Sequence, residues 1–265
     1  MMKKRRAGTK FRRRMAGMLA LAVALIGAGA LYSLLVPEPQ TAQAQDDPIT
    51  VRQGEQIYNN TCISCHGANL EGVTDRGPSL IGVGEASVYF QTSTGRMPAV
   101  VQGAQAKKKP PVLTPDEIEQ ISAFIQANGG GVEMPEESGA QLQGDNPARG
   151  GQLFRLNCAS CHNFTGRGGA LSSGKAAPPL DNVTEDAMYA AMLSGPQNMP
   201  RFSERQLSPT EKKDIIAYVK SVTDGNNNPG GNSLGGLGPQ SEGLIGFIVG
   251  IAALLGITLW IGAKQ

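Results

Sequence analysis

Residues 54–66 read GEQIYNNTCISCH, and residues 150–162 read GGQLFRLNCASCH. Both stretches end in Cys-x-x-Cys-His, the attachment pattern of c-type haem: two thiols add across the vinyl groups, and the histidine that follows binds the iron. Cys62, Cys65 and His66 make one set, and Cys158, Cys161 and His162 the other. Together they use all 4 cysteines and both histidines of the 265-residue chain. The agreement extends upstream. A glycine stands eight residues before the first cysteine of each copy (Gly54, Gly150), and an aromatic stands four before it (Tyr58, Phe154). Residues four apart share a helix face, so each pair predicts a close-packing patch.

With both histidines used, the sixth iron ligand has to be another residue type. A methionine thioether fits, because it stabilises ferrous iron and raises the reduction potential. Of 9 methionines, Met97 (in GRMP) and Met199 (in QNMP) fall 31 and 37 residues after His66 and His162. The proline after each keeps its segment out of a helix. Met188 and Met192 are rivals for the second site, but they sit in a helix-like run and lack the proline. Between histidine and methionine each copy carries Pro-x-Leu, at Pro78 and Leu80 and again at Pro178 and Leu180. After the methionine, TPDE (114–117) and SPTE (208–211) each read as an N-cap, a proline at the first helical position and a capping-box glutamate. Ile121, Phe124 and Ile125 then match Ile215, Tyr218 and Val219, an apolar stripe at helical spacing.

This order resembles the class I cytochrome c fold, in which an N-terminal helix crosses a C-terminal one with the glycine and aromatics at the crossing. The resemblance covers residues 50–131 and 146–224. It implies two covalently attached haem c groups, on Cys62 and Cys65 and on Cys158 and Cys161. It also implies axial iron ligands His66 and Met97 in one copy and His162 and Met199 in the other, with the Pro-x-Leu residues beside each haem. Domains of roughly 80 residues bury little apolar surface alone. The macrocycle would supply the missing core, and the apo-domains are expected to be poorly folded.

Outside the repeat, eight basic residues between Lys3 and Arg14 precede the uncharged run Met15–Val36. Its 22 residues suffice as a helix to cross about 30 Å of hydrocarbon, and the basic block holds its own end in the cytoplasm. Two fates stay open: retention as an anchor, or cleavage after Ala44, where Ala42-Gln43-Ala44 gives a small-x-small pattern. A second run of 20 uncharged residues, Leu244–Ala263, carries Trp260 near its end and reads as a transmembrane helix. The chain therefore divides into a basic cytoplasmic tail (1–14), a transmembrane helix or uncleaved signal anchor (15–36), a linker (37–49), cytochrome c domain 1 (50–131), a linker (132–145), cytochrome c domain 2 (146–224), a flexible linker (225–243) and a transmembrane helix (244–263). The expected fold class is all-α: two tandem class I cytochrome c-like domains flanked by N- and C-terminal transmembrane helices.

The net charge of +2 says little about partners, and with no stacked aromatics among basic residues and no recognised module, nucleic-acid binding has no other support. Lys107 to Lys109 read as a solvated loop before they read as a docking patch for an acidic redox partner. An iron with two protein ligands has no open position for substrate, which points to one-electron transfer and away from a peroxidase. Structural zinc is disfavoured, since 92 residues separate the cysteine pairs.

The whole layout is similar to the dihaem cytochrome c subunit of the actinobacterial bcc-type quinol–cytochrome c reductase. That resemblance implies a respiratory-chain subunit of a proton-translocating oxidoreductase, the chain itself being an electron carrier. The implied partners are the cytochrome b subunit, the Rieske iron–sulfur subunit and a terminal cytochrome c oxidase in a supercomplex. The implied location is the cell membrane, multi-pass, with the haem domains on the outer face. A free-standing anchored shuttle, or a dihaem subunit of another oxidase or dehydrogenase, would share the same motifs.

Overall fold

The computed structural model describes residues 15–28, 47–100, 103, 105–223 and 239–264. The basic tail, the second half of the first apolar run, the candidate cleavage site and most of the predicted linker at 225–243 lie outside the described residues. The chain forms two compact units, residues 1–43 and 44–265. In the first, α1 (Met15–Ala28) is an apolar helix exposed along its length.

The second unit is mostly helical. Helix α2 (Pro48–Thr61) starts at Asp47, whose carboxylate accepts from the Ile49 N–H at 3.2 Å. It runs into the single turn α3 (Ile63–His66), which is followed by α4 (Gly84–Ser93) and α5 (Pro115–Gly129). The order then repeats, with α6 (Pro147–Asn157) capped by Asn146, the turn α7 (Ala159–His162), α8 (Glu185–Ser194) and α9 (Pro209–Thr223). Last comes α10 (Pro239–Gly262).

Helix α2 packs on α5, and α6 on α9. At each crossing the glycine of the sequence pattern meets backbone. A Cβ on Gly54 would collide with the Gln120 carbonyl oxygen, and one on Gly150 with that of Asp214. Only glycine permits this approach. One turn further on, the aromatics pair across the same crossings: Tyr58 with Phe124 and Phe154 with Tyr218, both at 5.3 Å between centroids and tilted. Each such pair contributes about 0.5–1.5 kcal/mol beyond its buried area. Around them lie two apolar clusters, one of Tyr58, Leu70, Val88, Ile121 and Ile125, the other centred on Leu153, Phe154, Ile215, Ile216 and Val219. A third joins the halves where Phe90 of α4 meets Ala190 and Ala191 of α8.

The caps form as the sequence predicts. The Glu117 N–H donates to Thr114 Oγ1 at 3.3 Å, while Glu117 Oε2 accepts from the Thr114 N–H at 2.8 Å. Ser208 and Glu211 repeat this at 3.3 and 3.0 Å.

Two features depart from the expected elements. The second copy holds a two-stranded antiparallel ribbon, β1 (Gly169–Ala170) with β2 (Ala176–Ala177), within a chain expected to be all-helical. Its cause is length: His162 to Pro178 spans 16 residues where His66 to Pro78 spans 12. The surplus folds back on itself, whereas the first copy closes with a lone Val73–Gly77 bridge. In addition, α10 begins at Pro239 rather than at 244, because a proline at the first position and Glu242 in the first turn favour a helix start there.

Candidate functional site

Each Cys-x-x-Cys-His folds as a helical turn hung on the end of the preceding helix. Cys62 closes α2 and opens α3, its carbonyl accepting from Cys65 N at 3.1 Å and His66 N at 3.0 Å. Cys158 does the same for Cys161 at 3.1 Å and His162 at 2.9 Å. The turn brings both sulfurs and the ring of each copy onto one cavity.

The histidines are held alike. His66 Nδ1 lies 2.8 Å from the Pro78 carbonyl, and His162 Nδ1 lies 3.0 Å from that of Pro178. A carbonyl only accepts, so Nδ1 carries a proton and Nε2 is the ring nitrogen left to face a metal, the orientation of a metal-ligating imidazole. Burial pulls the His162 pKa down, against a smaller upward pull from the Pro178 carbonyl; the neutral ring is favoured. Burial, reinforced by the neighbouring cysteine, pushes the Cys62 thiol up to about 11 and the Cys158 thiol up to about 12. Both are protonated at neutral pH and no disulfide joins them.

The first cavity, about 950 Å³, is lined by Cys62, Cys65, His66, Pro78 and Met97 among others, and Met97 is its only methionine. The second, about 160 Å³, is lined by Cys158, Cys161, His162, Pro178, Leu180 and Met199, and also by Met188 and Met192. Met188 and Met192 are buried on α8 in the apolar cluster, while Met199 is half-buried beside it. The two loop methionines are fixed through their backbones: Met97 N–H donates to the Gln91 carbonyl at 2.9 Å, and Met199 N–H to that of Pro196 at 3.0 Å. Leu80 packs against the first cluster and Leu180 against the second. In each copy two cysteines, a histidine and a loop methionine line one cavity, a set of side chains whose chemistry fits a covalently held haem. Among the described residues no three His, Cys, Asp or Glu side chains group to hold a metal ion, so the zinc alternative has no site there.

The basic loop is less free than its sequence suggests, because Lys109 Nζ is tied to the Pro98 carbonyl at 3.0 Å. Sequence reasoning missed Arg96. It is buried and lines the second cavity, although the neighbouring Met97 lines the first. A signal was present: the tetrapeptide around the first methionine carries an arginine where the second has Asn198.

A family model described as Cytochrome c matches residues 51–128, and one described as Cytochrome C oxidase, cbb3-type, subunit III matches residues 145–219. The chain is 54% identical over 266 residues to the cytochrome bc1 complex cytochrome c subunit of Mycobacterium tuberculosis (strain ATCC 25618 / H37Rv), covering 98% of this chain and 95% of the relative. It is 53% identical over 278 residues to the subunit of the same name in Corynebacterium diphtheriae, covering 99% of both. Similarity to the cbb3-type cytochrome c oxidase subunit FixP of Rhizobium meliloti is local, 35% over 99 residues and 34% of this chain.

Proposed function

The chain belongs to the family of cytochrome bc1 complex cytochrome c subunits, and from that premise we propose that it carries two haem c groups and relays electrons between a Rieske iron–sulfur subunit and a terminal oxidase. It is a respiratory cytochrome c subunit with covalently bound haem, and among the described residues one helix, Ser241–Gly262, is long and apolar enough to cross a membrane.

The observation that carries the dihaem reading is the doubled constellation. In each half, two cysteines and a histidine share one turn, a proline carbonyl clamps Nδ1, and a Met-Pro loop lines the same cavity. Haem supplies a one-electron iron couple, and the protein sets its ligation, orientation and exposure. Cys62, Cys65, Cys158 and Cys161 would hold the groups covalently, and His66 and His162 through Nε2, with Met97 and Met199 through their thioethers, would be the residues that bind the iron. Met199 is preferred to Met188 and Met192 because it matches Met97 in its loop and its following proline. An iron held by two side chains would leave substrate no access to the metal, and oxidation of quinol would fall to the other subunits of the complex. In this reading residues 50–131 and 146–224 are tandem domains on the outer membrane face. The run 15–36 and α10 cross the membrane, with both chain ends inside.

The test is a reduced-minus-oxidised spectrum of tagged protein withdrawn from membranes in mild detergent, with haem c quantified per chain. Two haems c, with haem b and haem a bands alongside, are expected. Haem c alone at full recovery would mean an independent anchored shuttle, and one haem per chain would end the dihaem reading.

A further inference from the structure

We propose that Arg96, a residue of the first copy, binds the carboxylate edge of the haem in the second cavity and thereby raises that haem's reduction potential. This rests on the second cavity holding a haem.

Arg96 is only 7% exposed, and its Nε has no hydrogen-bond partner. Its guanidinium carbon stands 4.8 Å from the centroid of the Phe90 ring. A ring face attracts a cation but does not replace the hydrogen bonds lost on burial. The second cavity, which Arg96 lines, has Lys108 in its wall as well and no aspartate or glutamate anywhere in it. The first cavity differs, since Glu71, Asp75 and Arg76 all line it. Among the described residues the second wall is therefore cationic and without a carboxylate counter-ion, which suits an anion brought by the ligand. A haem brings two carboxylates, and a guanidinium fork is built to bind one.

The position is fixed as well as charged. Gly95 has a φ of +66°, and a Cβ there would strike the Lys109 carbonyl, so the turn into Arg96 is closed tightly. The loop is also stitched to the second copy. Gln105 bonds the Ala176 carbonyl at 2.6 Å and the Ala176 N–H at 3.1 Å, and Gln197 Nε2 donates to the Ala106 carbonyl at 3.2 Å. Arg96 and Met97 are adjacent in the chain yet line different cavities, so the two sites share a wall at this dipeptide. A cation at the wall favours the more negative, reduced state of the second site.

The experiment is a spectroelectrochemical titration of the full-length protein in detergent, comparing wild type with Arg96→Gln and Arg96→Lys. A Cys158→Ala/Cys161→Ala chain identifies the wave of the first site. Arg96→Gln is expected to make reduction of the second site at least tenfold less favourable, about 59 mV, with two haems per chain and the first wave unmoved. Arg96→Lys keeps the charge but loses the fork, and is expected to shift the second wave by an intermediate amount. A shift confined to the first wave, or none in either with haem content intact, overturns the proposal. Should Arg96→Gln fail to accumulate, Arg96→Lys decides, an unshifted second wave being the overturning result. A wild-type chain with haem only at the first site would remove the premise and the proposal with it, and the haem count separates that outcome from the others.

Discussion

At the scale of single residues, the chemistry-bearing positions were legible because the chain states them twice. Cysteine spacing, the following histidine and the Met-Pro pairs are local patterns, and each copy brings its own set to one cavity. Gly54 and Gly150 were legible for the same reason, their partners being a fixed helix further on. Arg96 was not, because it lines a cavity built mostly from residues of the other copy. Two predictions belong here. Met97→Ala and Met199→Ala are each expected to leave both haems attached, convert one site to high-spin and lower its potential, read by absorption and by redox titration. An unchanged second-site spectrum in Met199→Ala, with a change in Met188→Ala or Met192→Ala, would move the distal ligand onto α8. Gly150→Ala forces a methyl into the Asp214 carbonyl. It is expected to cost about 1–3 kcal/mol or more, seen as a lowered melting temperature of the holoprotein.

Among the elements, α5 and α9 announce themselves by their caps, and α2 and α6 by the glycine–aromatic face. Helix α4 does not. Its buried residues are Gly84, Ala86, Val88, Phe90 and Thr92, a burial pattern of period two rather than the 3.6 of a one-faced helix. The physical reason is that α4 is covered on two sides, by α5 and by α8, so no single face reports its period. Helix α8 did show as a helix-like run around Met188 and Met192, although its buried residues run unbroken from Ala187 to Met192 and mark no single face. The capped helices carry a pH signature. Hydrogen bonds from the Thr114 backbone hold the Glu117 carboxyl below its usual range, and the Ser208 backbone, with Arg149, does so for Glu211. A carboxylate whose folded pKa is depressed stabilises the fold above its unfolded pKa, about 4.3, and loses that contribution as pH falls through the folded value. Holoprotein stability is therefore expected to drop on the acid side of pH 4.3. Ser208→Ala is expected to cost about 1 kcal/mol at neutral pH and to shallow that acid limb only in part, because Glu211 loses the hydroxyl partner but keeps the Ser208 N–H and Arg149. Equal acid limbs in mutant and wild type would assign the acid loss to other carboxylates.

For the molecule as a whole, the two apolar runs were visible as composition, whereas the shared wall between the cavities was not. A wall of this kind is made by contacts between copies, and residue periodicity reports only which face of an element is buried. The wall and the membrane helix answer different needs, since α10 makes no packed core of its own. Its large apolar side chains are exposed, and Ser241–Gly262 spans roughly 33 Å as a helix, with Trp260 near the end and Lys264 stacked 4.2 Å over its ring. That surface is stable in lipid and costly in water. Removing it is therefore expected to change where the protein resides without changing its haem environment. A chain ending at residue 238 is expected to stay with carbonate-washed membranes, held by the run 15–36. A chain that also has residues 1–43 replaced by a cleavable export leader is expected to appear in the soluble fraction with two haems c and an unaltered spectrum. Release by the C-terminal truncation alone would show that the first run is cleaved and that α10 is the sole anchor. A soluble form with a disturbed spectrum would instead tie the haem sites to their membrane helices, against the separation of α10 from both apolar cores.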